Sequence, residues 1–140
     1  MDVSVEPPLP GYALYDPVDP FENGAGPFHW RQLDDGTHHF VLRAQHRHCN
    51  THGVVHGGLM MTMADLCMAA TAKERRQEAY VTVAFNSEFV DAGMEGALIE
   101  CRAELVRRTG SLAFMRGRIE SEARTLFVFS GVMKRLRQES

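Results

Sequence analysis

The 140-residue chain is of a size that supports one hydrophobic core, because two cores of half that length would each be marginal. Hydrophobic residues make up 44% and charged residues 24%, near the globular average, and a formal charge of -3 with both signs dispersed excludes the one-sided basic footprint of a nucleic-acid binder. Residues 1–17 carry no basic or apolar leader pattern and no apolar run is long enough to span a bilayer, so a cytoplasmic protein with no membrane partner is expected.

In chain order, residues 1–27 hold the prolines together with Tyr12, Tyr15 and Phe21, and read as an irregular lead-in without a regular strand that packs on the body through those aromatics. A single domain is expected over 28–136. It opens with a hairpin, residues 28–33 and 38–43 flanking the turn Asp34-Asp35-Gly36, whose Asp-Gly dipeptide is a hairpin signal. After a histidine-rich loop, residues 45–56, the stretch from Gly57 to Arg76 predicts a helix. Its first turns are apolar almost all round, charged only at Asp65 before Lys73, as in a buried helix, and Lys73, Arg75 and Arg76 suit a solvent-facing C-terminus.

Four strand-like runs follow, residues 79–90, 97–107, 112–121 and 126–136, separated by glycine-containing turns. In the first, strict alternation places Val81, Val83, Phe85 and Phe89 on one face and Thr82, Asn86 and Glu88 on the other. The expected architecture is α+β: one long central helix wrapped by an antiparallel sheet of five or six strands.

Two features of the helical segment bear on chemistry. A carboxylate at Asp65 in an apolar helix costs several kcal/mol to bury unless it is bonded, paired or hydrated, so Asp65 is either a functional group, an exposed edge residue or half of an ion pair. The paired glycines Gly57 and Gly58 leave helix N-terminal N–H groups uncovered at the positive end of the dipole, where they suit a developing oxyanion. The plainer reading is that they let helix and sheet approach closely. Asp65 follows Gly58 by two turns, ~10 Å along the axis, too far for one bound carbonyl to touch both. If both serve one reaction they come from different subunits, with two helices antiparallel across a two-fold axis. A homodimer, or a dimer of such dimers, is therefore expected.

The run Asn50-Thr51-His52-Gly53-Val54-Val55-His56-Gly57-Gly58, followed after six intervening residues by Asp65, resembles the Asn-x-x-Gly-x-x-His-Gly-Gly-x6-Asp pattern of the PaaI-like hotdog-fold thioesterases. The likeness runs from about Gly26 to Leu136 and takes in Val81-Thr82-Val83 and the hairpin from Val106 to Leu112. It implies a hotdog fold and an acyl-CoA thioesterase that releases free acid and coenzyme A, with no cofactor. Under this resemblance Asp65 is the base or nucleophile, and the Gly57 N–H and the Asn50 side chain polarise the carbonyl. His56 stands near the departing thiolate, and Thr82 helps Asp65 orient water. Each role is chemically apt: a carboxylate activates water, amides hold an oxyanion, and an imidazole donates to sulfur.

The cluster His46, His48, Cys49, His52 and His56 raises a zinc reading, but its spacing fits no zinc template and no metal is expected. Cys49, Cys67 and Cys101 lack disulfide-framework spacing, and Cys67 and Cys101 are expected as reduced core residues. A hotdog acyl-thioester hydratase or dehydratase and a non-catalytic acyl-CoA-binding domain are the alternatives. The position of the carboxylate inside the helix, separated from His-Gly-Gly by six residues, favours the hydrolase. Candidates for substrate binding are Gly58 and Met61 at the reacting end, and Arg107 and Arg108, with Lys134 and Arg135, for the coenzyme A phosphates. Met60, Met63 and Met68 serve equally as pocket or core. A small or medium acyl group, aryl groups included, is the expected range.

Overall fold

Side-chain alternation organises the second half of the chain: Ile99, Cys101 and Ala103 are buried while Arg102 and Glu104 are exposed, and Phe127, Phe129 and Met133 are buried while Ser130 and Lys134 are exposed. In the computed structural model, which describes residues 6–137, these runs are strands of one antiparallel sheet. The elements are β1 (Ala13–Leu14), α1 (Pro20–Ala25), β2 (His29–Gln32), β3 (His38–Arg43), α2 (Gly57–Ala72), β4 (Tyr80–Phe89), β5 (Leu98–Thr109), β6 (Leu112–Ser121) and β7 (Arg124–Arg135), with a 3-10 turn at His46–His48. The strand order is β1-β2-β3-β5-β6-β7-β4. The sheet has seven strands, the seventh being the two-residue β1 that lies where no strand is expected.

The long helix α2 is buried against the inner face of this sheet. Met60, Met63, Ala64, Cys67 and Met68 interlock with Phe40, Leu42, Ile99, Cys101, Met115, Ile119, Phe127 and Met133, forming one core. Gly131 makes room for the helix: a Cβ there would stand 2.8 Å from Met68 Sδ and 3.0 Å from the Ala84 carbonyl. This is the hotdog architecture, one helix held by one antiparallel sheet.

The helix is not apolar to solvent all round. Gly58, Met61 and Asp65, spaced along one stripe, are exposed while the opposite flank is buried. It also stops at Ala72, before the cations, because the Glu78 carboxylate accepts from the Glu74 N–H at 2.7 Å and the Arg75 N–H at 3.1 Å and draws that segment into a turn.

The lead-in is more ordered than its composition indicates. Tyr12 donates to His39 Nδ1 at 2.6 Å while His39 Nε2 meets Glu100 at 3.2 Å. Tyr15 packs edge-on against Phe40 and Trp30, with ring centroids 4.9 and 5.6 Å away. Phe21, expected as a third anchor, is instead 67% exposed.

Two-residue turns close the β5–β6 and β6–β7 hairpins, the latter with Glu122 at φ 52 and Ala123 at φ 63. That left-handed pair suits Asn-Gly, and each ordinary residue there costs on the order of 1 kcal/mol. The double variant Glu122→Asn, Ala123→Gly is expected to gain about 1 kcal/mol in denaturant unfolding, with the slope m unchanged.

Candidate active site

The segment before α2 is a closed loop. Cys49 bridges Val55, Asn50 and Val54 pair through Asn50 N–H and the Val54 carbonyl at 2.9 Å, and Gly53 turns at φ +77. The Asn50 side-chain oxygen accepts from the His52 N–H at 2.9 Å and the Val54 N–H at 3.4 Å. With its oxygen occupied inside the loop, Asn50 is left with the NH2 group as its outward function.

His56 is the N-cap of α2, and its Nδ1 accepts from the Gly58 N–H at 2.8 Å. An imidazole accepting at Nδ1 carries its proton on Nε2, so His56 presents Nε2–H as a donor away from the helix. Gly58 therefore serves as the partner of His56, and a Cβ on it would press the ring at 3.0 Å. At Gly57 a Cβ would collide with the Phe89 ring at 2.8 Å, so close approach explains both glycines. Among the described residues the Gly57 N–H makes no hydrogen bond, which leaves it as the open donor at the positive end of the helix.

Asp65 lies two turns on, exposed, with Oδ1 accepting from the Thr82 hydroxyl, whose oxygen also lies 3.2 Å from Met133 Sδ. Strict alternation along β4 fails here. A bulge between Thr82 and Ala84 inserts Val83 as an extra residue, so that Tyr80 and Thr82 face inward before it and Phe85 after it. Val81 and Val83, expected inside, are exposed on β4, an edge strand that among the described residues pairs only with β7.

Asp65 and Thr82 open on a cleft of about 460 Å³ lined also by Met61, Thr62, Leu66 and Phe85, with Asp19, Phe21 and Glu22 from the lead-in. Met61 thus lies on the wall of the cleft that Asp65 opens on. Gly57, Asn50 and His56 do not line this cleft, and eight residues of α2, ~12 Å, separate Gly57 from Asp65 in one chain.

Asp19, Phe21 and Glu22 are the site residues that the sequence reading omits. The signal was present: Asp19 caps α1 by accepting from the Glu22 N–H at 2.8 Å with Pro20 just inside the helix, a capping signature. Half-burial, then the charges of Asp19, Asp16 and Asp65, push the Glu22 carboxyl up to about 7, with Lys73 pulling the other way.

Arg108 has a task other than phosphate binding. It donates to the Ala72 carbonyl at the end of α2, reaches the Tyr80 hydroxyl at 3.4 Å and pairs with Glu74 at 3.2 Å. Arg107 is exposed and, among the described residues, has no ion pair. The histidine-rich loop is likewise occupied structurally: His48 is buried, with Nδ1 2.9 Å from the Gln45 N–H and Nε2 2.9 Å from the Gly26 carbonyl. Among the described residues no group of three or more His, Cys, Asp or Glu could hold a metal ion, and no helix is long and apolar enough to cross a membrane.

Residues 52–128 match the family model described as the thioesterase superfamily. A Pseudomonas aeruginosa protein inferred to be an esterase is 30% identical over 109 residues, covering 76% of this chain and 81% of that protein. Among solved structures, a mutant of the phenylacetic acid degradation protein PaaI of Thermus thermophilus superposes with a TM-score of 0.74 at 26% identity, covering 84% of this chain and 100% of the other. A hypothetical thioesterase of Streptococcus pneumoniae, crystallised with coenzyme A, has a TM-score of 0.71 at 18% identity, covering 81% and 91%.

Two outcomes test this description. Arg108→Ala is expected to lose about 1–2 kcal/mol of unfolding free energy by leaving the Ala72 carbonyl and Glu74 unpartnered, whereas Arg107→Ala stays within about 0.5 kcal/mol of the parent. For Glu22, the unfolded chain ionises near 4.5 while the folded chain holds the proton to about 7. Its contribution to stability is therefore present below the lower value and lost as pH rises through the higher. Glu22→Gln removes that loss, so the variant should gain stability over the parent in thermal melts at alkaline pH relative to acid pH.

Proposed function

This chain belongs to the thioesterase superfamily and is a thioester hydrolase, and we propose that it cleaves an acyl-coenzyme A at a site shared between two subunits. The observation that carries the reading is the Thr82-oriented Asp65 carboxylate opening on an apolar-sided cleft. Among the described residues the Gly57 N–H, the Asn50 NH2 group and His56 Nε2 make no hydrogen bond, while the Asn50 oxygen and His56 Nδ1 are engaged within the loop and the helix start. Within a dimer those donors serve the partner's Asp65. The edge strand β4, with unpaired backbone groups and exposed Val81, Val83 and Phe89, supports a two-fold junction on that side.

In this mechanism Thr82 donates to Oδ1 of Asp65, so that Oδ2 takes a proton from a water molecule. The water oxygen bonds to the thioester carbonyl carbon, and the carbonyl oxygen becomes an oxyanion held by the partner's Gly57 N–H and the partner's Asn50 NH2 group. The intermediate collapses by breaking the C–S bond. The partner's His56 stabilises the departing thiolate with a hydrogen bond from Nε2–H, and the proton held by Asp65 passes to the sulfur, giving free acid and thiol. The cleft volume, with Met61, Leu66, Phe85 and Phe21 on its walls, suits a small or medium acyl group, aryl groups included. The coenzyme A bound to the Streptococcus pneumoniae neighbour supports that carrier, and Arg107 and Lys134 are exposed cations available for its phosphates.

Purified protein is expected to release thiol from acyl-coenzyme A esters. Asp65→Asn should lower kcat by about 100-fold or more with the melting temperature retained. Thr82→Ala should lose about 10-fold and Thr82→Ser should recover most of it, because only the hydroxyl donor matters. Full turnover by Asp65→Asn would remove this carboxylate from the reaction.

A further inference from the structure

The short helix α1 is fixed in place from several sides. Asn23, buried, donates to the Asp16 carbonyl at 2.7 Å and the Asp19 carbonyl at 2.8 Å. Arg47 donates to the Gly24 carbonyl at 3.1 Å and also to the Gly26 carbonyl, which His48 Nε2 approaches at 2.9 Å. A segment held in this way is a wall. The side it turns to the cleft carries Asp19, Phe21 and Glu22, facing Met61 and Asp65 of α2 and Phe85 of β4.

The charge of this cleft is one-sided. Among the described residues its lining holds three carboxylates, Asp19, Glu22 and Asp65, and no Lys, Arg or His. A neutral acyl group entering beside Asp65 meets the Phe21, Met61, Leu66 and Phe85 side chains. An acyl group ending in a carboxylate would bring a further negative charge into a partly desolvated space with no counter-ion on its walls.

Resting on the thioesterase reading above, we propose that α1 is the specificity element of the acyl site, and that Glu22 is the residue by which it admits neutral acyl groups and rejects those bearing a terminal carboxylate. Rejection by unpaired like charge is an economical way to discriminate between chains of equal length.

Supporting this role, Glu22 changes charge in the neutral range, pushed up to about 7 by its half-burial first and then by Asp19, Asp16 and Asp65. The groups that face it are Tyr15, Asp16 and Asp19 on its own segment and Asp65 on α2, with Lys73 at the end of α2 opposing them. Tyr15, itself raised to about 12, is uncharged throughout the working range. Rejection is therefore strongest above neutrality, where Glu22 is ionised, and weaker below it.

The test compares kcat/KM for hexanoyl-CoA against adipoyl-CoA, matched in chain length, and for benzoyl-CoA against 4-carboxybenzoyl-CoA, in the parent and in Glu22→Gln. Measurements are made on either side of neutrality, at about pH 6 and about pH 8. The parent is expected to prefer the neutral member by about 10-fold or more at the higher pH, and by several-fold less at the lower. In Glu22→Gln the ratio should fall at the higher pH to its low-pH value and lose its pH dependence, an effect that mere loosening of α1 would not produce. The pH dependence of the ratio in the parent alone is a second reading that needs no variant. A ratio indifferent both to pH and to Glu22→Gln, with the neutral esters cleaved, overturns the role of Glu22 and leaves the thioesterase reading standing. Failure of the parent to cleave any of the four esters overturns both.

Discussion

The rigidity of α2 is the constraint on which the site depends. An α-helix fixes the rise between its residues, so Gly57 and Asp65 are held ~12 Å apart whatever the sheet does around them. The helix cannot bend to bring them together, because its apolar flank is locked among Phe40, Ile99, Met115, Phe127 and Met133, and Gly131 leaves room for Met68 only in that pose. Each end is completed locally instead. The N-terminus is capped by His56 and seated against Phe89 through Gly57, and the middle turn receives the Thr82 hydroxyl from the edge strand. Under the proposed reaction the helix carries two incomplete halves of one chemistry, and a second helix would carry their complements.

Much of this was legible in the sequence because burial and backbone geometry leave periodic marks. The strands at 38–43 and 112–121 stand where alternation and turn residues put them, and the start of α2 falls on the expected glycine. Periodicity failed where a local interaction overrode it. The bulge at Val83 reverses the faces of β4 and carries Thr82 to the same cleft as Phe85, contrary to strict alternation. The helix ends early because Glu78 offers the backbone of Glu74 and Arg75 another acceptor, although the residues there are good helix formers. Arg108 read as a surface cation, yet the chain folds its guanidinium onto the end of α2. In each case the deciding partner is distant in sequence or is a side-chain acceptor that residue pattern does not register.

The lead-in shows the same limit more sharply. A six-residue helix is too short to show an apolar stripe, and prolines mask its flanks. Its position depends on Arg47 and on His48, one of the histidines that raised a zinc reading and that serves here as scaffolding. The consequence is functional. Without α1 the Asp65 cleft would lack the wall formed by Asp19, Phe21 and Glu22, so the part of the chain that reads as least structured shapes the candidate site.

Whether one reaction centre is assembled from two chains can be measured by mixing two inactive variants, Asp65→Asn and Asn50→Ala, under conditions in which subunit exchange is followed independently by mass. Each mixed dimer then contains one site in which both intact halves meet. The shared site predicts recovery of about a quarter of the parent activity, since half the dimers are mixed and half of their sites are intact. No recovery despite demonstrated exchange would contradict it.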